Sequence, residues 1–408
     1  MHKNWNRVLL SFAGVAMGTT LVATAQSPAP AAPAAAAPAA PATAPTWSVG
    51  PLDISGFIDG YYSYNTNKPA NDTSAGMYNQ LYNFNDQTNQ FALSAAKLTL
   101  SHDPDPVGVH LDLLYGRTDT EMNGNPYYDS AYGSSTKYIE QAFISLKPPK
   151  GKGFEADFGK FVTSAGAEVI EAKDNWNYSR SLLFAHAIPY AHIGLRTSMP
   201  VSKTETLGFQ VVNGMSAEFK NNSGATVGIT SSYVKPKYTW NANYYTGPQN
   251  TNTNKGYENL FDTTLLLTPS SKFNAYINYD YGQNRDHTYK EENGYYTAGD
   301  KLLYHWQGIA AAAHVATSAK DSFSGRYEYY YDPSKYTVTY NGESSDKLVL
   351  QEFTLTYEHK WVEGLLARLE YRRDNANMKF FTKGDNDVSV KAQSTLTAGF
   401  VAFFGPKR

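Results

Sequence analysis

Charged side chains spaced two apart inside otherwise apolar segments are the residues of this sequence best equipped for chemistry. Arg326 and Glu328 interrupt Phe323, Tyr327 and Tyr329, and Arg368, Glu370 and Arg372 interrupt Leu365, Ala367, Leu369 and Tyr371. Asp53, Asp59, His110, Asp112, Glu155, Asp157, His192 and Arg196 hold equivalent positions. Residues two apart share one face of a β-strand, so each set projects to a single side. Charges of both signs along a wet interior bias ion passage through their local field. The competing role is cross-strand pairing that merely holds the wall together. A further polar group, Glu168, Glu171, Lys173, Asp174 and Arg180, falls where the two-residue period lapses.

Catalytic patterns are weak by comparison. Ser134-Ser135-Thr136-Lys137 and Ser344-Ser345-Asp346-Lys347 match a bare Ser-x-x-Lys, without the companion motifs of acylating enzymes. No histidine pair has HExxH spacing, and no phosphate-binding glycine loop occurs in a strand-to-helix setting. A hydrolase with Ser and His gathered at the lipid face is the residual enzymatic reading. The expectation is no catalytic residue, no metal and no cofactor.

Composition narrows the class. The 408 residues contain no Cys, which excludes disulfide frameworks, thiolate metal sites and a thiol nucleophile. Lys plus Arg number 35 against 37 Asp plus Glu, so there is no basic excess to hold nucleic acid. Past the N-terminus no run of 18 apolar residues occurs, which excludes a spanning helix. Soluble globular proteins and membrane β-barrels remain.

Residues 1–25 carry Lys3 and Arg7, an apolar stretch from Val8 to about Val22, and Ala23-Thr24-Ala25. This is the layout of a secretory signal peptide cut after Ala25. Residues 26–46 form an Ala/Pro tract with no large apolar side chain, expected to be an extended linker, with cell-wall contact left open.

From Trp47 onward the apolar period is two. Sixteen segments recur, centred near residues 58, 95, 112, 142, 157, 195, 209, 230, 241, 264, 277, 309, 327, 354, 369 and 397. Their connections alternate short, as in His102–Pro106, Lys147–Lys150 and Thr268–Ser271, with long, at 66–87, 117–136, 163–189, 283–300, 332–347 and 373–388. An even number of strands with short turns on one rim and long loops on the other predicts an all-β, antiparallel transmembrane barrel of about 16 strands. A soluble sandwich or propeller predicts no such asymmetry. Tyr61, Tyr62, Tyr64, Trp240, Tyr244, Tyr245, Trp306, Tyr327, Tyr329, Tyr330, Tyr331 and Trp361 are expected as interfacial girdles. Lys97 and Lys160 break the parity and are expected at bulges.

Residues 159–194 hold the longest apolar connection, with Val169, Ile170, Trp176, Leu182, Leu183 and Phe184. Such a loop is expected to fold into the barrel and constrict it near 163–189. The run Gly159-Lys160-Phe161, Gly166-Ala167-Glu168 and Asn177-Tyr178-Ser179-Arg180-Ser181, then His192-Ile193-Gly194-Leu195-Arg196 and Val212-Asn213-Gly214, resembles the outer-membrane β-barrel porin family described as OmpL-like. The resemblance implies a bacterial outer-membrane location and pore formation, and supplies no catalytic residues. Barrel chains commonly end on an aromatic residue, whereas here Phe404 precedes Gly405-Pro406-Lys407-Arg408, so recognition by the barrel-assembly machinery is assigned to Phe404.

The expectation is therefore a porin passing small hydrophilic solutes or ions, surrounded by outer-membrane lipid, alone or as a homotrimer. Its pore-lining and constriction residues are expected to be Asp59, Asp112, Asp157, Glu168, Glu171, Lys173, Asp174, Arg180, Arg196, Arg326, Glu328, Arg368, Glu370 and Arg372, with Arg180 and Arg196 disfavouring cations. The alternative is a non-conducting barrel serving as surface anchor or adhesin.

Overall fold

The computed structural model describes residues 48–49, 52–69, 78–123, 136–216, 219–292, 295–338, 346–384 and 388–406. The expected leader and Ala/Pro tract lie outside them. Sixteen antiparallel strands pair in sequence order: β1 Leu52–Asn65, β2 Gln90–His102, β3 Val107–Tyr115, β4 Ile139–Leu146, β5 Glu155–Val162, β6 Ala191–Pro200, β7 Glu205–Val212, β8 Thr226–Lys235, β9 Tyr238–Pro248, β10 Tyr257–Leu267, β11 Phe273–Glu292, β12 Tyr295–Ala316, β13 Asp321–Asp332, β14 Leu348–Val362, β15 Leu365–Ala376 and β16 Ala392–Phe404. The sheet closes on itself where β16 pairs with β1, from Thr395 opposite Asn65 to Phe404 opposite Gly56. Closure leaves no open edge, which lipid requires of any β structure that crosses it. No helix among the described residues is long and apolar enough to cross a membrane.

The barrel is inverted relative to a soluble protein. On β13, Ser322, Ser324, Arg326, Glu328, Tyr330 and Asp332 point inward and are buried, while Phe323, Tyr327 and Tyr329 point outward and are exposed. The most exposed outward residues include Phe91 at 85%, Phe158 at 67% and Leu369 at 60%. Such a surface is stable only against hydrocarbon, which excludes the sandwich and propeller alternatives.

Several local expectations change. Tyr61, Tyr245, Trp306 and Tyr330 face inward and are buried, so they are not girdle residues; Tyr64, Trp240, Tyr244, Tyr327 and Trp361 do face outward. The stretch 283–300 is not a loop in the main, because β11 and β12 stay paired from Phe273 opposite Val315 up to Glu292 opposite Tyr295. Beyond the membrane neither strand face meets lipid, so the apolar alternation that marks a strand disappears from the sequence there. Lys97 is indeed carried inward by a bulge, in which Ser94 is the unpaired residue between Leu93 and Ala95. Lys160 is not at a bulge: β5 and β6 pair without interruption from Glu155 to Val162, and Lys160 Nζ donates to Asn123 Oδ1, Thr136 Oγ1 and the Ile139 carbonyl. A second bulge lies at Glu140, skipped between Ile139 and Gln141.

Candidate functional site

Residues 163–190, between β5 and β6, occupy the barrel interior and are folded by their own side chains first. Gly166 takes φ +93, a left-handed conformation that costs glycine little. Asn175 closes the next turn by accepting from Val169 N and donating to the Val169 and Glu171 carbonyls. A 3-10 turn spans Ala172–Asp174, and a five-residue helix, α1 (Leu182–His186), is capped by Ser181 Oγ accepting from Phe184 N.

A chain segment inside a barrel exposes peptide groups that neither strand pairing nor bulk water satisfies, and each left unpaired costs about 1–3 kcal/mol. Here the wall supplies the partners. Glu370 accepts from Tyr178 N at 2.6 Å and Ser179 N at 2.9 Å, and Glu328 accepts from Leu182 N at 2.9 Å and Leu183 N at 3.1 Å. Asp262 accepts from Gly166 N at 2.9 Å, and Asn278 from Ala167 N at 3.1 Å. The arginines take the carbonyls. Arg326 donates to Ser179 O at 2.8 Å, Arg372 to Arg180 O at 2.7 Å and Arg368 to Asn175 O at 2.6 Å. Tyr178 Oη donates to Asp59 at 2.6 Å, and its ring fits because Gly399 on β16 lacks a Cβ, which would sit 2.4 Å from that ring. The same charges also pair among themselves: Arg326 contacts Glu168, Glu328 and Glu352, Arg372 contacts Asp374, and Arg368 contacts Glu358.

These geometries correct the residue assignments. Asp59, Glu168, Arg180, Arg326, Glu328, Arg368, Glu370 and Arg372 are all buried between the segment and the wall, so they hold the segment and do not line open water. Arg180 donates to the Tyr178 and Ile170 carbonyls and stacks over Phe84, which removes it from any filter. Arg196 is paired with Asp157 at 2.7 Å and lies over the Phe143 and Phe161 rings, so its charge is neutralised and covered. Asp112 joins Glu140 and Glu171 around Lys97, which lies 2.9 Å from Asp112 and 2.5 Å from Glu140. Lys173 lies against the Phe57 ring and pairs with Asp174 at 2.5 Å.

On the opposite side the wall holds the segment at Ser164, whose carbonyl accepts from Asn243 at 3.0 Å and whose hydroxyl accepts from Gln210 at 3.1 Å, and a gap opens beside that contact. A recess of about 320 Å³ runs between residues 162–174 and strands β6 to β9, whose contribution is Ser198, Thr206, Thr230, Ser232, Asn241 and Asn243. A smaller recess adjoins it past Asp174 and Trp176 toward Thr264 and Tyr276. Glu171 and Asp174 border the space from the segment side. Burial raises the Glu171 carboxyl, but the adjoining Lys97 ammonium outweighs this and leaves it below the usual range, hence ionised. The neutral wall residues are absent from the sequence-based assignment; their inward parity was readable, but Ser, Thr and Asn carry no charge to draw notice.

Above the recess the interior is apolar. Leu81 and Phe84, Leu182, Leu183 and Phe184, Val338, and Phe380 and Phe381 are all buried within one cluster, so several long loops fold inward and pack on α1. His186 at the end of α1 is pushed down to about 4 by burial and by the charge of Arg372.

A family model described as "Putative beta-barrel porin-2, OmpL-like" matches residues 51–404. No curated protein matches the sequence. Similar solved structures include OmpT, an outer membrane protein of Vibrio cholerae, at 11% identity and TM-score 0.50, covering 86% of this chain and 97% of that one. The anion-selective porin from Comamonas acidovorans is 12% identical with TM-score 0.50, covering 86% and 99%. The outer membrane channel DcaP of Acinetobacter baumannii is 11% identical with TM-score 0.51, covering 88% and 100%. At these identities the likeness is one of fold.

Two outcomes are expected from this clamp. Glu370→Ala removes, besides the bond from Thr356, the two charge-assisted bonds to the segment, together worth about 3 kcal/mol, so amide hydrogen exchange at Tyr178 and Ser179 accelerates by about 100-fold. For His186, the folded ring resists protonation while the unfolded one takes a proton below about pH 6.5, so this residue's contribution to stability is lost as pH falls from about 6.5 toward 4. Thermal unfolding of His186→Phe across that window should show a smaller loss than the unsubstituted protein.

Proposed function

The chain belongs to the OmpL-like β-barrel porin family and is an outer-membrane porin of a Gram-negative bacterium, and from that premise we propose that small hydrophilic solutes or ions diffuse passively along the recess beside β6 to β9, with residues 163–190 as the constriction. The mature chain in this reading begins after Ala25, the Ala/Pro tract is a linker, and no step is catalytic. The observation that carries the reading is the one-sided seating of the segment. It is bonded at many points along the wall from β10 to β15 and on to β1, whereas toward β6 to β9 it is held at Ser164, by Asn243 and Gln210, and otherwise borders a polar gap.

The low side of the barrel supports a homotrimer. Strands β3 to β7 have only 8 to 10 residues. Eight residues reach about 27 Å along a strand and about 20 Å along the membrane normal at the usual tilt, short of the ~25 Å apolar band. Phe158, Ile144, Val109 and Phe209 are exposed on this side, and neighbouring subunits would cover them. Native mass measurement in mild detergent should give three chains per particle.

The packed apolar cluster at the outer mouth favours a second reading, a plugged barrel acting as a surface anchor. Planar-bilayer recording on the protein purified from outer membranes separates the two. Stepwise conductance is expected, and Ser232→Trp, which fills the recess, should lower it by at least about half. A folded barrel that never conducts supports the anchor.

A further inference from the structure

The interior carboxylates are not matched by the interior cations. Lys97 is shared by three acids, Asp112, Glu140 and Glu171, and Arg326 by three more, Glu168, Glu328 and Glu352. Asp262 and Asp280, opposite each other on β10 and β11, are held by the amides of Asn243 and Asn278 with no Lys or Arg among their ion pairs in the described residues. The recess inherits this imbalance. No Lys or Arg lines it, whereas Glu171 and Asp174 do, with Glu168 buried at its edge against Arg326. Glu171 has 18% and Asp174 42% of the side chain accessible, so both reach the open space.

The facing wall adds oxygen without adding charge. Ser198, Thr206, Thr230 and Ser232 border the recess and Thr264 the adjoining one. Oxygens on one side and carboxylates on the other stabilise a positive charge and its hydration shell, and raise the free energy of an anion in a narrow, low-dielectric passage.

From this lining we infer that the passage selects small cations, with Glu171 and Asp174 as its specificity-determining residues. The inference rests on the route proposed above, since charges beside a space that solutes never enter would select nothing. It also reverses the effect that arginines near the constriction would have, because Arg180 is buried beneath Phe84 with its guanidinium on the Tyr178 and Ile170 carbonyls, and Arg196 is paired with Asp157.

Asp174 and Lys173 provide a test with opposite signs, being adjacent, partly exposed and paired with each other. Reversal potentials in a tenfold KCl gradient should show cation preference for the unsubstituted porin. Asp174→Asn should lower the K⁺/Cl⁻ permeability ratio by about twofold or more, Glu171→Gln should lower it as well, and Lys173→Gln should raise it. Anion preference in a porin whose conductance does fall with Ser232→Trp overturns this inference alone, as does a ratio that none of the three substitutions moves. Conductance indifferent to Ser232→Trp overturns the route, and the selectivity assignment with it.

Discussion

The hydrogen-bonding demand of a peptide segment enclosed within a barrel governs most of this structure. Residues 163–190 bring into the lumen amides and carbonyls that strand pairing cannot reach, and no dry interior tolerates them unpaired. The wall answers with carboxylates for the amides and guanidinium groups for the carbonyls: Glu328 and Glu370 on one hand, Arg326, Arg368 and Arg372 on the other. Because these side chains bridge the segment as well as each other, neither the segment nor the charged wall is stable in its place without the other.

That arrangement explains why full burial of so many charges is sustainable. A lone buried ion pair seldom repays its desolvation, but an arginine whose donors meet both carboxylates and peptide carbonyls leaves few of its hydrogens unsatisfied. Arg326 does so with Glu168, Glu352 and the Ser179 carbonyl. Arg372 does so with Asp374 and the Arg180 carbonyl. The apolar cluster above, from Leu81 to Phe381, then covers the network from the outer side and keeps its dielectric low.

Asymmetry around the barrel follows from side-chain size. Along β10 to β15 long charged residues hold the segment at many points, whereas beside the recess β6 to β9 present mainly Ser, Thr, Asn and Gly, and meet the segment at Ser164 through Asn243 and Gln210. The gap is thus the complement of the clamp. Its chemistry is set by which charges the clamp leaves at the recess, and these are the carboxylates of Glu171 and Asp174, the latter beside Lys173.

The amino-acid sequence by itself determined the sixteen strands, their antiparallel closure, the two unequal rims and the inward direction of Arg326, Glu328, Arg368, Glu370 and Arg372, because a strand at a lipid boundary writes its orientation into a period of two. Only the tertiary structure decided what those charges face. An inward arginine has the same local pattern whether it meets water or a peptide carbonyl 192 positions away, as Arg372 meets Arg180. The bulges at Ser94 and Glu140 are single-residue offsets visible only in cross-strand register, and they are what bring Lys97 and Glu140 together. The paired extension of β11 and β12 beyond the membrane leaves no apolar alternation to read, since no lipid imposes one there.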